Sequence, residues 1–260
     1  MSASIRPVVL VTGSARRLGR EIALELAAHG FDVALHSHRT ADECADTLAV
    51  AVESGARAEA FAADLAVEAD CDALLPAVVA VMGRVDAVVN NASRFEHDDI
   101  ASFGHAALAA HWQVNTAAPL LLARALHAHL AASERQGCVV NLLDQKLWNP
   151  NPDHLSYTLS KAALATATTL LAQALAPIVR VVGVAPGVTL PSGPMTDAEF
   201  TRAQGMTPLQ RSSTPRDVAR AVRFLIESPA ITGTTLLVDG GQHLATQPRD
   251  VLFLAQGAVR

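Results

Sequence analysis

The phenol of Tyr157 and the ammonium of Lys161 stand four residues apart in the chain. On a helix, positions i and i+4 share one face, so the two side chains would be neighbours. A nearby ammonium favours the phenolate and predicts a lowered tyrosine pKa, which would allow proton exchange close to neutral pH. The spacing therefore predicts an acid–base pair. The alternative is an ordinary amphipathic helix that carries a solvated lysine.

A glycine turn near the N-terminus predicts a site for an anion. The apolar run RPVVLVT, residues 6–12, is followed by Gly13-Ser14-Ala15-Arg16-Arg17-Leu18-Gly19 and then by an amphipathic helix. Gly13 permits a sharp turn and Gly19 permits close packing of helix on strand, so that free N–H groups at the helix start face a pyrophosphate. The alternative is a plain connection between a strand and a helix.

The second predicted strand ends in the run His36-Ser37-His38-Arg39-Thr40. Arg39 in this run lies twenty residues after Gly19. A dinucleotide fold recognises the adenosine ribose at this point, and NAD-binding versions usually carry Asp or Glu there. Arg39, with Arg17 as a second cation, instead favours the 2′-phosphate of NADPH. The alternative for Arg39 is a solvated surface residue.

Thr40 and Glu43 have the spacing of a capping box, which predicts that Thr40 heads the next helix. His36 and His38 are two residues apart on a strand, but no acidic or thiol cluster accompanies them. A metal site at these histidines is therefore rejected, and none is expected elsewhere.

Composition limits the class of protein. The 260 residues are half hydrophobic and carry a formal net charge of −5, which suits one large α/β domain and, without a basic stripe, predicts no nucleic-acid partner. Hydrophobic segments are short and the N-terminus lacks an export pattern, so we expect a cytoplasmic protein without a membrane span. The widely spaced Cys44, Cys71 and Cys138 are expected to be packing residues in a reducing compartment.

Strand-like runs alternate with helix-like stretches, at residues 7–12, 31–36, 57–62, 85–90, 137–143, 178–184 and 234–238. This alternation predicts a single Rossmann-type α/β domain over residues 1–260, with a doubly wound parallel sheet of about seven strands and helices on both faces. Right-handed crossovers would place the ligand along the carboxyl ends of the strands. The segment 186–213 is rich in Pro, Gly and Ser, and residues 188–206 are expected to form a substrate loop.

Taken together, these motifs resemble the short-chain dehydrogenase/reductase family from about Val8 to His243. The family pattern is met at Gly13, Gly19, Asp64, Asn90-Asn91-Ala92, Asn115, Tyr157, Lys161, Pro186-Gly187 and Asp239-Gly240-Gly241. The resemblance implies that Asp64 meets the adenine and that Asn90 lies along the adenosine ribose. It also implies that Lys161 holds the nicotinamide ribose and that Asn115 positions a water in a proton relay. The cofactor-binding set predicted on this basis is Gly13, Arg17, Leu18, Gly19, His38, Arg39, Thr40, Asp64, Leu65, Asn90, Ala92, Ser93, Tyr157, Lys161, Pro186, Gly187, Val188 and Thr189.

Three departures from the family pattern narrow the resemblance. Asp144 stands thirteen residues before Tyr157, where the family usually has a serine, while Arg17 and Ser93 replace glycines. Together with Phe95, these residues resemble the pteridine reductase branch, which includes the bacterial dihydromonapterin reductases. The resemblance implies that Phe95 stacks on a pterin, that Arg17 lies beside substrate and phosphate, and that Ser93 binds the pterin or the cofactor phosphates.

Asp144 has a chemical rationale in that branch. A carbonyl reductase needs a neutral hydroxyl to polarise its substrate oxygen, whereas a pterin is reduced at a C=N bond and needs protons at ring nitrogens. A buried Asp144 that bonds Tyr157 could share its proton, with Lys161 supplying the electrostatic bias. The alternative is a turn residue that accepts bonds from nearby N–H groups. The predicted catalytic residues are Asn115, Asp144, Tyr157 and Lys161, and the predicted substrate-binding residues are Arg17, Ser93, Phe95, Asp144 and Tyr157.

The sequence thus predicts an NADPH-dependent reductase of a small-molecule pterin, with folates left open. One alternative is a carbonyl reductase of the same family that acts on a 3-oxoacyl, sugar or steroid group. Another is a non-catalytic NADPH-binding redox sensor, which would not need a proton relay. The resemblance also implies a homotetramer that pairs apolar helices in 105–131 and 154–176. The tail 245–260 is expected to dock on a neighbouring subunit or to edge its active site, with disorder as the alternative.

Overall fold

Seven strands form one sheet in the computed structural model, which describes residues 6–192 and 195–257. The strands are β1 (Val8–Val11), β2 (Asp32–Ser37), β3 (Ala58–Ala62), β4 (Ala87–Asn90), β5 (Gly137–Leu142), β6 (Val179–Pro186) and β7 (Thr235–Val238). All neighbouring strands are parallel, in the order β3-β2-β1-β4-β5-β6-β7. The prediction of a parallel sheet of about seven strands is confirmed, and every strand begins and ends within two residues of its predicted limits.

Both faces of the sheet are covered by helices. The helices are α1 (Arg17–Ala28), α2 (Ala45–Glu53), α3 (Glu68–Met82), α4 (His105–Trp112), α5 (Ala118–Ala132), α6 (Leu155–Ala174), α7 (Asp197–Gly205), α8 (Pro215–Glu227) and α9 (Val251–Ala255). Because successive strand residues point to opposite faces, Val9 and Val11 pack against α1 and α8, and Val8 and Leu10 pack against α3 and α5. This two-sided burial explains why the strands read as unbroken apolar runs.

The strand order reverses between β1 and β4, which places a crevice at the carboxyl ends of these strands. The glycine turn follows β1, and Asn90-Asn91-Ala92 closes β4. Asp144 lies just after β5, and Pro186 ends β6. The topology therefore brings most of the predicted site to one edge of the sheet.

Two connections differ from regular helix. A π-helical turn, Gln113–Ala117, joins α4 to α5 and carries Asn115. The predicted substrate loop contains α7, whose N-terminus is a capping box of Thr196 and Glu199. In the C-terminal tail, α9 packs on α7 and the Ala255 carbonyl accepts bonds from Arg202. Residues 193–194 of the loop and 258–260 of the tail lie outside the described residues.

The capping box predicted at Thr40 and Glu43 is wrong. The Thr40 side chain makes no capping bond, and residues Ala41–Cys44 form a short 3₁₀ turn before α2. The Glu43 amide instead donates to the Thr40 carbonyl, while Ser37 donates its hydroxyl to the same oxygen at 2.6 Å. This local bonding closes the turn without the threonine hydroxyl.

Two further expectations concern the cysteines and the absence of a membrane span. Cys44, Cys71 and Cys138 are buried and unpaired, as expected for packing residues. Among residues 6–192 and 195–257, no helix combines the length and the apolar character needed to cross a membrane.

Candidate active site

The turn between β1 and α1 depends on two glycines. Gly13 has a φ of +64°, in the left-handed region that disfavours other residues. A Cβ on Gly19 would lie 2.1 Å from the Gly13 carbonyl oxygen, so only glycine fits there. Asn91 fixes the turn from β4 by donating its side-chain amide to the carbonyls of Thr12 (2.8 Å) and Gly13 (3.1 Å).

His36 secures the same turn from β2 and is not a metal ligand. Its Nδ1 accepts the Gly13 N–H at 3.1 Å, and its Nε2 lies 3.1 Å from the Ala63 carbonyl. Burial lowers the pKa of His36 to about 4, so the ring is neutral and donates from Nε2 to Ala63. Both ring nitrogens are therefore used in bonds that tie β1 to β2 and β3.

A cavity of about 580 Å³ opens beside this turn and is called the glycine-turn cavity. The predicted cofactor residues that line it are Gly13, Arg17, Leu18, Gly19, His38, Asp64, Leu65, Ala92 and Ser93. His38 and Asp64 approach each other to 3.5 Å across it. Arg16 and Asn91 also line the cavity, although neither was among the predicted cofactor residues.

Three residues of the predicted cofactor set lie apart from the cavity walls. Arg39 and Thr40 are exposed at the end of β2 and line neither the glycine-turn cavity nor a second cavity beside Tyr157. Asn90 is buried and donates its side-chain amide to Asn141 at 2.8 Å. Its Oδ1 has no partner, but the neighbouring Asn91, not Asn90, faces the cavities.

Asp144 and Tyr157 form a direct hydrogen bond. The Tyr157 hydroxyl donates to Asp144 Oδ2 at 2.9 Å, and Asp144 Oδ1 accepts the Lys146 N–H at 2.8 Å. Asp144 is thus both a turn residue and a partner of the phenol, so the two interpretations of this aspartate are compatible. Burial raises the pKa of the Asp144 carboxyl, which favours a proton shared within the pair.

Lys161 lies on the same face of α6 as Tyr157, as its spacing predicts. Its ammonium donates to the Leu142 carbonyl at 2.7 Å and stands 5.9 Å from the centre of the Tyr157 ring. Burial lowers the pKa of Lys161 to about 8. The ammonium is therefore held under the site by a single β5 carbonyl.

The expected lowering of the Tyr157 pKa is wrong for this structure. Burial and the adjacent Asp144 carboxylate raise the pKa of Tyr157 well above 10. The Lys161 ammonium is directed at Leu142, whereas Asp144 touches the phenol oxygen. The closer negative charge outweighs the more distant positive one, so the phenol keeps its proton.

Asn115 supports the site without touching Tyr157 or Lys161. Its Oδ1 accepts from the Arg94 N–H and from the Ser93 hydroxyl, and its Nδ2 donates to Ser160 and to the Arg94 carbonyl. The structure therefore places Asn115 as a brace between α6 and the chain after β4. A relay water at Asn115 stays a prediction.

A second cavity of about 440 Å³, the Asp144 cavity, lies above the acid–base pair. The predicted residues that line it are Arg17, Leu18, Ser93, Phe95, Asp144, Tyr157, Lys161, Pro186, Gly187, Val188 and Thr189. Phe95 is 44% exposed, stacks on His154 at 4.3 Å and meets the Tyr157 ring edge-on at 4.7 Å. The structure therefore brings the aromatic ring and the acid–base pair into one cavity.

Other residues that line the Asp144 cavity were not predicted individually. They include Gln145 and Lys146 after β5, Met195 in the expected substrate loop 188–206, Gln242 after β7, and Gln247, Asp250, Val251 and Leu252 in the tail 245–260. The sequence predicts the loop 188–206 at the substrate and the tail 245–260 against a neighbouring subunit or at the edge of its active site, but it does not indicate which of these residues would line the cavity. The partnering of Lys146 with Asp250 spans more than a hundred residues, and no local pattern encodes it.

Comparisons with known proteins agree with this geometry. The family described as enoyl-(acyl carrier protein) reductase matches residues 13–243. The putative ketoacyl reductase 2 of granaticin polyketide synthase from Streptomyces violaceoruber is 36% identical, with 92% of this chain and 96% of that protein covered. Pteridine reductase 1 from Leishmania tarentolae is 34% identical over the same shares of the two chains.

Solved structures give a similar result. The crystal structure of FolM alternative dihydrofolate reductase 1 from Brucella suis in complex with NADP is 41% identical, has a TM-score of 0.88 and covers 93% of this chain and 96% of that one. The family match covers residues 13–243, which include the strands β2 to β7 and contain Tyr157 and Lys161. The chain therefore belongs to the short-chain dehydrogenase/reductase family of NAD(P)-dependent oxidoreductases.

Proposed function

We propose that this protein is an NADPH-dependent pteridine reductase that transfers a hydride to a ring carbon of a dihydropterin or an oxidised pterin. The observation that carries the proposal is the 2.9 Å bond between Tyr157 and Asp144 in a cavity that Phe95 also lines. The substitution of a carboxylate for the usual serine hydroxyl distinguishes this site from that of a carbonyl reductase.

The glycine-turn cavity fits a dinucleotide phosphate. Gly13 and Gly19 let the turn pack closely against Asn91 and Ala92, and the cationic side chains of Arg16 and Arg17 line the cavity with His38. These residues would hold the phosphates of NADP(H), and Lys161 would reach its nicotinamide ribose from below Tyr157. When bound, NADPH supplies the hydride.

Asp144 and Tyr157 are suited to deliver a proton to a ring nitrogen. The raised pKa of Asp144 allows its carboxyl to carry a proton nearer to neutral pH than a solvated aspartate does. The Tyr157 hydroxyl, which bonds Asp144 Oδ2, can pass its proton on and take one from the carboxyl. The buried Lys161 ammonium lies under the pair and offsets negative charge there.

Phe95 gives the cavity a flat apolar wall. Its ring is backed by His154 and stands edge-on to Tyr157. A bicyclic aromatic substrate would gain stacking energy on this ring, whereas a small ketone would gain little. Ser93 and Arg17, which line both cavities, would bond the pterin edge where it meets the cofactor.

The relatives support both a pterin and a carbonyl substrate. The names of the Leishmania and Brucella proteins speak for pterin or folate reduction, and the Streptomyces name speaks for a ketoacyl group. The carbonyl alternative requires a hydroxyl donor beside Tyr157, and Asp144 stands there instead. A redox sensor needs no acid–base pair, so the bonded Asp144 and Tyr157 count against it.

NADPH oxidation by the wild type, measured against a panel of substrates, tests the proposal. The panel contains oxidised and dihydro forms of biopterin, dihydrofolate, a 3-oxoacyl thioester and simple ketones. We expect turnover of pterins and loss of that turnover in Asp144→Ser. Turnover of ketones alone, or intact pterin reduction in Asp144→Ser, would favour the carbonyl reductase.

We also propose a homotetramer, on the basis of the family resemblance. Exposed apolar residues such as Trp112, Leu159 and Leu170 lie on α4 and α6, which the resemblance pairs across twofold axes. Light scattering should give a mass near four subunits. A monomer at working concentration would contradict this assembly.

A further inference from the structure

The C-terminal segment, residues 245–257, forms one wall of the Asp144 cavity in its own chain. Asp250, Val251 and Leu252 line the cavity together with Gln247. The segment includes α9, which has only five residues. A helix this short does not hold itself together in water, so its position depends on what it is bonded to.

Four charged side chains fasten this segment. Lys146 Nζ lies 3.3 Å from Asp250 Oδ2 and donates to the Asp153 carbonyl. Arg249 Nε donates to both carboxylate oxygens of Asp153, at 3.0 and 2.8 Å, and the Asp250 N–H donates to Asp153 at 2.7 Å. Two cations and two carboxylates thus balance, and Lys146 and Asp153 are only 3% and 4% exposed.

The residues that hold the C-terminal segment lie in the stretch of chain between Asp144 and Tyr157. Lys146 and Asp153 belong to the connection that begins at Asp144 and ends at Tyr157. Asn149, in the same connection, donates to the Ala245 carbonyl and accepts the Gln247 N–H at 3.3 Å. Docking of the segment therefore orders the chain that sets the distance between Asp144 and Tyr157.

We propose that Lys146 and Asp250 are positioning residues that seat the C-terminal segment on its own subunit's Asp144 cavity and thereby set the affinity for the substrate. The pair acts through the wall it holds, Val251 and Leu252, and does not take part in proton transfer. We expect nucleotide binding to change little, because none of these residues lines the glycine-turn cavity or belongs to the predicted cofactor set.

The pair is well suited to such a role because one partner, Lys146, is buried, while the Asp250 side chain is 19% exposed. Two apolar residues would bind the segment in many arrangements, whereas a charge pair with additional bonds accepts one geometry. Loss of Asp250 leaves the Lys146 charge buried without its carboxylate partner, so the docked position becomes unfavourable. Burial raises the pKa of Asp144, and the negative charge of the Asp250 carboxylate raises it further.

Hydrogen exchange of the wild type and of Asp250→Asn, with no substrate present, tests the seating directly. We expect the amides of 251–255 to lose protection by about tenfold or more in Asp250→Asn, with α5 unchanged. Lys146→Met should give the same result, and Asp250→Glu should restore most of the protection. Asp72→Asn, which breaks the exposed pair with Arg124, is the matched control and should leave α9 unchanged.

Kinetics then test the consequence for the substrate. In Asp250→Asn we expect KM for the best substrate of the panel to rise by about tenfold or more, with a smaller change in kcat. The Kd of NADPH, measured by fluorescence titration, should stay within about twofold of the wild type. Asp250→Glu should recover the KM, which a general loss of folding would not allow.

Each outcome decides one part of the inference. Unchanged exchange at 251–255 in both variants would overturn the role of the pair. Protection that falls on dilution of the wild type would overturn the seating within one subunit, because a partner would then hold the segment. Failure of every pterin in the panel would refute the proposed function while leaving the exchange result standing.

Discussion

Replacing Lys161 with methionine should stabilise the ligand-free protein at neutral pH while removing its activity. Lys161 is 3% exposed, and its ammonium has one protein acceptor, the Leu142 carbonyl. Burial lowers its pKa from 10.5 to about 8. Since each pKa unit corresponds to about 1.4 kcal/mol, a charged Lys161 costs the folded state about 3 kcal/mol at pH 7.

Lys161→Met removes this cost, but the variant loses part of the stability gained in that way. The Leu142 carbonyl loses its bond to the ammonium, and an unsatisfied buried carbonyl costs about 1–2 kcal/mol. Methionine is close in length to lysine and fills the same space. The net expectation is a gain of about 1–2 kcal/mol, which corresponds to a Tm increase of roughly 2–8 °C.

The pH dependence of the stability difference shows whether the charge of Lys161 is its cause. The folded pKa of Lys161 lies below its unfolded pKa, so between about pH 8 and pH 10.4 the folded wild type binds fewer protons than the unfolded chain. Stability of the wild type therefore gains from this group as pH rises, while the variant has no such gain. The advantage of Lys161→Met should shrink from pH 8 upward and vanish between about pH 9 and pH 10, above which the wild type should be the more stable.

Thermal unfolding of both proteins at several pH values from 7 to 10 measures the difference, and NADPH oxidation checks the loss of activity. Lys146→Met is the matched control, because Lys146 is equally buried but paired with Asp250. It should lose stability at each pH, since it leaves a carboxylate unpaired. A Lys161→Met variant that is less stable than the wild type at pH 7, or a difference independent of pH, would refute the reasoning.

Three further predictions concern the cofactor and the substrate. Arg39 is exposed at the end of β2 and outside the glycine-turn cavity wall, so a contact to the 2′-phosphate requires its side chain to turn toward the bound nucleotide. If it does, Arg39→Ala should weaken the preference for NADPH over NADH by about tenfold or more, since each charge-assisted phosphate contact contributes roughly 1.5–3 kcal/mol, and an unchanged preference in Arg39→Ala would contradict it. Tyr157→Phe and Asp144→Ala should each lower kcat by about 10²–10⁴-fold while NADPH titrations stay unchanged; weakened NADPH binding of the same size would point to a structural defect. Phe95→Ala should raise KM for a pterin several-fold, because stacking contributes about 0.5–1.5 kcal/mol beyond area, and should barely affect a nonaromatic ketone; equal effects on both would exclude stacking.

The sheet could be predicted from the sequence because its signals are local. The central strands are short apolar runs with two buried faces, and the turn after β1 requires glycine at Gly13 and Gly19 for steric reasons. The topology of parallel strands places the ligand at the carboxyl edge of the sheet, and the family resemblance assigned Asp144 and Tyr157 to that site. These features need no knowledge of distant contacts.

Other features depend on tertiary context that no local pattern contains. The Tyr157 pKa is raised first by burial and then by the adjacent Asp144 carboxylate, and the spacing to Lys161 reveals neither this nor that the ammonium is directed at Leu142. The capping box expected at Thr40 does not form, because the hydroxyl of Ser37 donates to the Thr40 carbonyl and closes the turn. The Lys146 bond to Asp250 joins positions 104 residues apart, so the wall of the cavity could not be read from the chain.

Arg17 lines both cavities, and its guanidinium donates to the Pro191 carbonyl of the substrate loop at 2.8 Å. It does so from a left-handed backbone conformation, with a φ of 54°, which holds the side chain at the junction between the two cavities. Any ligand that redirects this guanidinium in one cavity alters the wall of the other. Thermodynamic reciprocity then requires that each ligand change the affinity of the other by the same factor. Arg17 is thus one route of coupling between the two ligands, and Arg17→Ala should reduce the factor by which each ligand changes the affinity of the other.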